Sequence, residues 1–201
     1  MTRILSRSVI VLSLVAFGLL TSASDARAQG FISGLVGYNF GGDAGCQSAT
    51  NCQDKHTNWG GSIGTLGIIG FEEELAYAKN FFGEPLAGTT SANNSVLTLM
   101  SNLMIAPGIG PVNPYVTGGV GLMRAHTNFT PTQLVTDISQ NMFAWDVGGG
   151  LIVSFGHVGV RGDIRHFHSF QNSTLPSFFG ISTAGTKLDF GRISGAIVLK
   201  F

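Results

Sequence analysis

The segment Val158–His168 carries the densest chemistry of the chain. Arg161, Asp163 and Arg165 share one parity, while Val158, Val160 and Ile164 share the other. Residues two apart on a β-strand point to the same side, so this spacing gathers charges of both signs on one face. The pattern recurs elsewhere. Glu72 and Glu74 lie opposite Leu75 and Tyr77, and Asp146 and Arg192 fall on the polar faces of their own segments. Paired carboxylates can do general acid–base work, but carboxylates interleaved with guanidiniums neutralise one another instead. Glu72, Glu74, Asp146, Arg161, Asp163, Arg165 and Arg192 are therefore expected to form a structural ion-pair network rather than a catalytic site. Glu73 shares parity with Leu75, a placement that suits only a rim.

His166, His168 and Ser169 sit close to Asp163 and raise the possibility of a hydrolase. A Ser–His pair needs both side chains within hydrogen-bond reach, and neighbours on a strand face opposite ways. Rim histidines are the better reading, and no enzyme activity is expected. Cys46 and Cys52 share one polar stretch and are expected to form a disulfide that pins it. With His56 nearby they lack a fourth metal ligand and a zinc-type spacing, so no metal is expected. The glycines of 118–121 and 148–150 lie inside strand patterns without a following helix or Lys, so they are not phosphate loops. They suit close packing and bending of a sheet. No cofactor is implied.

The export signals lie at the N-terminus. Arg3 and Arg7 precede the 14-residue apolar run Ser8–Thr21, and Ala26-Arg27-Ala28 fits a small-x-small cleavage site. The run is short for a membrane anchor, which needs about 20 residues. Residues 1–28 are thus read as a cleaved signal peptide and 29–201 as one domain beginning at Gln29. Removing the leader takes the charges from 11 basic against 11 acidic to 8 against 10, a formal −2. Such a balance gives nucleic acid no electrostatic foothold. Charged residues make up only 11% of the chain, against about 25% in ordinary soluble domains.

Eight strand-like segments follow: 31–40, 59–69, 71–82, 95–106, 114–125, 142–155, 158–168 and the C-terminal 186–201. Polar stretches 41–58, 83–94, 126–141 and 169–185 alternate with short connections at Gly70, Pro107–Pro111 and Gly156-His157. The last segment ends on alternating Ile193, Ile197, Leu199 and Phe201, with Val198 out of phase. Glycine dilutes the second and fifth segments, whose faces the pattern leaves unassigned. No apolar run after residue 28 could cross a bilayer as a helix, so a membrane span requires a closed barrel. Alternation of long and short connections is a mark of such barrels. Eight strands leave a lumen that side chains just fill. Tyr38, Phe40, Tyr77, Phe81, Phe82, Tyr115, Phe143, Trp145 and Phe155 occur near segment ends, where interfacial aromatic girdles sit.

The stretches 114–121 (PYVTGGVG), 145–150 (WDVGGG), 160–165 (VRGDIR) and the closing IVLKF of 197–201 together resemble the small OmpA/OmpX-like outer-membrane β-barrel domain family. The resemblance implies an all-β, eight-stranded antiparallel transmembrane β-barrel with short periplasmic turns and longer extracellular loops. It also makes Phe201 the expected assembly signal. No peptidoglycan-binding domain follows the last strand, so a cell-wall tether is not carried over. The expected localisation is the cell outer membrane. The expected role is envelope structure or surface interaction through the loops. Expected partners are outer-membrane lipid, the barrel assembly machinery and an extracellular ligand or host surface. Two rivals are a lipid-modifying barrel enzyme using His168, and a soluble secreted barrel whose apolar faces line a ligand cavity.

Overall fold

The computed structural model describes residues 29–42, 56–79, 81, 93–107, 111–129, 136–172 and 187–201. The expected leader, Cys46, Cys52 and Phe82 lie outside the described residues. Eight strands run in chain order: β1 (Gln29–Phe40), β2 (His56–Leu66), β3 (Ile69–Lys79), β4 (Asn93–Ile105), β5 (Val112–Phe129), β6 (Thr136–Phe155), β7 (Val158–Asn172) and β8 (Lys187–Lys200). Each pairs antiparallel with its successor, and β1 also pairs with β8. The sheet is therefore closed, and the edge at which another chain could pair is abolished. Residues 67–68, 106–111 and 156–157 join strands at one end, and 41–55, 80–92, 130–135 and 173–186 join them at the other.

Period-two alternation decides which side chains go where. On β4 the outward Leu97, Leu99, Leu103 and Ile105 are exposed, while Thr98, Met100, Asn102 and Met104 are buried in the lumen. On β7, Val158, Val160 and Ile164 point out and Arg161, Asp163 and Arg165 point in. The glycine-diluted strands follow the same rule. β2 sends Asn58 and Ser62 inward and Trp59 and Ile63 outward, and β5 sends Tyr115, Thr117 and Met123 inward against Val116 and Val120. The result inverts a soluble protein, because a continuous apolar belt covers the outside. That facing overturns the soluble ligand-binding barrel, which needed the apolar side chains within.

The interior is built in three layers. Near the long-connection end, Phe81, Met100, Met123, Met142, Phe167, Leu188 and Phe190 form an apolar plug with smaller alanines and Val96. Phe167 stacks on Phe190 at 5.0 Å between centroids, and Phe81 meets Phe190 edge-on at 4.7 Å. At the short-turn end, Phe31, Met104, Ala106, Tyr115, Ile152 and Val198 form a second plug. The phase break at Val198 is thus explained: an apolar residue is needed inside, in the floor. The charged layer lies between the plugs.

Several expected boundaries move. The turn before β3 falls at Gly67-Ile68, not Gly70. Most of the expected polar loop 126–141 is ladder, with His126 opposite Ser139 and Asn128 opposite Asp137. β7 likewise runs on to Asn172. Beyond the apolar belt the backbone can keep pairing while its residues are polar, and hydropathy carries no trace of that. Tyr115 and Phe81 are corrected as well, being interior residues rather than members of a girdle.

Glycines on the inner face allow neighbouring strands to crowd. A Cβ built on Gly148 would stand 2.3 Å from the backbone oxygen of Ile164 and 2.8 Å from the Cα of Arg165. Outward Gly162 has nothing within 4 Å of the same position. Gly148→Val is therefore expected to block formation of the folded barrel, whereas Gly162→Ala leaves its yield near wild type. The folded fraction on refolding into detergent, read by gel mobility without heating, measures both.

Candidate functional site

The charged middle layer draws on six strands, β3 to β8. Arg161 on β7 reaches across the lumen to Glu72 on β3 through Nη1, in a short contact, and through Nη2 at 3.1 Å. The same Nη2 donates to Asp163 Oδ2 at 2.7 Å, and Nε donates to the Tyr115 hydroxyl at 2.6 Å. The Tyr115 hydroxyl in turn donates a hydrogen bond to Asp163 Oδ2 at 2.8 Å, and its ring lies 5.0 Å beneath the Arg161 guanidinium. The phenol is held inside because it closes this chain of donors and acceptors, a demand that no local sequence pattern announces.

Arg165 is the hub. Its Nη2 lies 2.7 Å from Glu72, 3.1 Å from Asp163 and 3.4 Å from Glu74, and its Nη1 lies 3.4 Å from Asp146. Asn102, in the amide orientation its neighbours dictate, donates to Asp146 Oδ1 at 2.6 Å and accepts from Arg165 Nη1 at 2.7 Å. Arg192 pairs with Glu74 in a short contact, and its guanidinium sits 4.3 Å over the Phe167 ring of the upper plug. Ser194 donates to Asp163 Oδ1. All seven charged residues read from the sequence project into this layer. Lys200 joins from the floor, donating to Ser154, so the inward-facing charges among the described residues number four of each sign.

Such an arrangement holds the strands together and does little chemistry. Each carboxylate is engaged by a guanidinium that never gives up its proton, and water is shut out above and below. A gap beside Arg192, lined by Asn39, Asn58 and Thr98 among others, measures about 10 Å³, enough for one water and far from a conduit.

Polar residues also face outward, and two groups of them make contacts across strands. Glu73 does not lie at a rim: it stands between Phe71 and Leu75 on β3, opposite Ser101, whose hydroxyl is 2.8 and 2.7 Å from its two carboxylate oxygens. The hydroxyl offers the carboxylate one local partner on an otherwise apolar surface. The second group is His166, His168 and Asp189 near the long-connection end. His168 and Ser169 lie on opposite faces of β7. Ser169 is fully buried, its Oγ accepting from the Leu188 amide at 2.7 Å, so the two cannot form a catalytic pair. Phe201 closes the barrel seam from below, its amide donating to Gly30 O at 2.9 Å and its ring lying over Gly30.

No protein-family model matches the chain, and no curated protein matches it. Its fold does match solved eight-strand-type outer-membrane structures. Against Neisserial surface protein A the TM-score is 0.59 at 15% identity, covering 86% of this chain and 97% of that one. A major outer membrane protein from Thermus thermophilus gives 0.61 at 12% identity, covering 87% and 100%. Ail, the attachment invasion locus protein of Yersinia pestis, gives 0.50 at 12% identity, covering 87% and 99% in a complex with the heparin analogue sucrose octasulfate. At these identities the likeness is one of fold.

Removing one partner of a buried pair strands the other, at a cost of about 3–5 kcal/mol. Arg192→Met is expected to destabilise the barrel by that order, and the double change Arg192→Met with Glu74→Met by clearly less. Urea unfolding of the lipid-inserted protein measures the difference, and equal losses would show that the pair is not coupled. Glu73→Leu is expected to raise stability in the same assay by about 1 kcal/mol, because it removes a carboxylate from an apolar exterior.

Proposed function

We propose that the chain is an integral outer-membrane protein whose barrel is a sealed anchor, and whose role, in envelope structure or surface contact, is exercised at the end bearing the long connections. The observation that carries this reading is the pairing of a closed barrel with an apolar exterior and a lumen filled with neutralised charge. Exposed Ile32, Val36, Trp59, Phe71, Leu99, Val116, Val147, Ile164, Ile193 and Ile197 come from all eight strands. Patches of that extent are rare on soluble monomers, whereas a closed sheet can present them to lipid because every backbone group is paired within it. Short turns at one end and longer connections at the other give the orientation, with periplasmic turns and extracellular loops.

The processing of the chain fits the same reading. The small-x-small Ala26-Arg27-Ala28 after the apolar run Ser8–Thr21 supports reading residues 1–28 as a cleaved leader and 29–201 as the barrel. Phe201 at the seam serves the assembly machinery as the terminal signal. Loops carry function on rigid scaffolds. Here the connecting stretches contain Asp43, Asp54, Lys55 and Glu84 as their charges. Their acidic balance gives no footing for a sulfated polyanion of the kind bound in the Ail complex. The loops suit hydrogen-bonding surface contact instead. A lipid-modifying activity is disfavoured, since His168 and Ser169 face apart.

The reading is tested on protein extracted from the outer-membrane fraction of a Gram-negative host. Unheated and boiled samples are expected to migrate differently, the mature N-terminus to be Gln29 by mass spectrometry, and deletion of Phe201 to lower the folded yield. Planar bilayers containing the protein are expected to show no stable conductance. Recovery in the soluble periplasm without a mobility shift would overturn the anchor, and steady channels would overturn the sealed lumen.

A further inference from the structure

The outer face of β7 carries His166 and His168 two residues apart, so both imidazoles point the same way. Asp189 on β8 is the register partner of His168. His168 Nδ1 lies 2.9 Å and His166 Nε2 3.2 Å from Asp189 Oδ2, and the three donor atoms lie within 4.8 Å of one another. Two ligands bonded to one metal ion at about 2.0–2.2 Å stand about 2.8–3.6 Å apart in octahedral or tetrahedral geometry. The two histidine–carboxylate separations are of that size, so side-chain rotations that exchange the His168–Asp189 hydrogen bond for metal ligation and draw the imidazoles together could receive an ion.

The surroundings hold the cluster in place and leave it open. Trp145 on β6 is the register partner of His168, and its ring lies 5.6 Å from the His168 ring and 5.9 Å from that of His166, walling one side. The β7–β8 register shifts between His168 and Asn172, immediately beyond the trio. Irregularities of this kind recur at barrel rims and beside sites, where they re-aim side chains. The side chains of His166, His168 and Asp189 are 46%, 25% and 42% exposed, so an ion can reach them from outside the barrel. On β7 the outward positions flanking the two histidines are Ile164 and Phe170, both exposed.

We propose that His166, His168 and Asp189 form a surface site for one divalent transition-metal ion of the zinc, copper or nickel class. Two imidazoles and a carboxylate favour these borderline ions over magnesium or calcium, which prefer all-oxygen shells. Three protein ligands leave a coordination position for water or for a donor group of an external partner. The site is built from ladder positions of two paired strands, so the backbone positions of its ligands are set before the metal arrives. Sequence alone hides it, because Asp189 is distant in the chain from the histidines and joins them only through strand pairing.

The test uses untagged full-length barrel folded in detergent, carrying Trp59→Phe so that Trp145 is the single indole. Nickel or copper chloride is expected to quench its emission saturably at one ion per chain, with zinc chloride competing and calcium or magnesium chloride without effect. His166→Ala and His168→Ala are each expected to weaken binding by about tenfold or more, and Asp189→Asn to weaken it as well, while the heat-dependent gel shift is retained. In the protein with all three ligands intact, zinc is also expected to protect His166 and His168 from acylation by diethylpyrocarbonate, a readout that does not depend on variants folding. Quenching that fails to saturate, or that is unchanged by both histidine substitutions, would overturn the proposal, as would equal acylation with and without zinc.

Discussion

Closure of the sheet is the constraint on which the rest depends. Lipid offers no hydrogen bonds, so each backbone donor and acceptor within the belt must find its partner in the wall. Pairing β1 to β8 completes that satisfaction. Closing at eight strands then fixes the bore, leaving a lumen as wide as the side chains that enter it. Filling becomes obligatory, and the two apolar plugs supply most of it. The remaining middle layer is polar, and in a space closed to water an uncompensated charge would be expensive. The ion-pair lattice around Arg165 follows from that demand, with Glu72, Glu74 and Asp146 answered from other strands and Asp163 by Arg161 and Arg165 of its own.

The network connects residues remote in sequence. Glu72 and Arg161 are separated by 89 positions and Glu74 and Arg192 by 118. These contacts tie β3 to β7 and β8 across the lumen, where no backbone hydrogen bond reaches. The aromatic faces of Tyr115 and Phe167 lie against Arg161 and Arg192, joining the charged layer to the apolar layers below and above. A guanidinium suits that position because its edge donates while its flat face accepts a ring. Buried ion pairs are weak evidence for net stability, and here what they visibly do is determine which side chains meet across the bore.

The facing of β1, β4, β6, β7 and β8 was legible in the chain because apolar residues recur there at one parity often enough to survive exceptions such as Val198 and the glycines of 148–150. β2 and β5 were opaque for a definite reason: glycine has no side chain to report which side it faces. The charged residues were legible as an inward set by parity, and their individual partners were not, since parity says nothing of register. Tyr115 was misread because an aromatic near a strand end fits a girdle as well as a floor. Only the approach of Arg161 and Asp163 from another strand decides between them. The lengths of β5 and β6 were underestimated because periodicity in hydropathy ends where the belt ends, while the ladder continues above it.

A sealed bore leaves the protein's chemistry to its outer surface, and the outward polar groups differ in what surrounds them. Glu73 is flanked by apolar residues along β3 and receives a hydroxyl from Ser101 alone, an arrangement that blunts a cost. His166, His168 and Asp189 lie between Ile164 and Phe170, beside Trp145, and there the polar groups answer one another across two strands. β7 carries both kinds of work at once. Its inward residues Arg161, Asp163, Arg165 and Phe167 fill and neutralise the bore, and its outward residues pass from Val158 through Ile164 to the two histidines. Because alternation separates the two faces, the imidazoles could vary without disturbing the lattice behind them. That independence is what allows one scaffold to be kept while its surface chemistry changes.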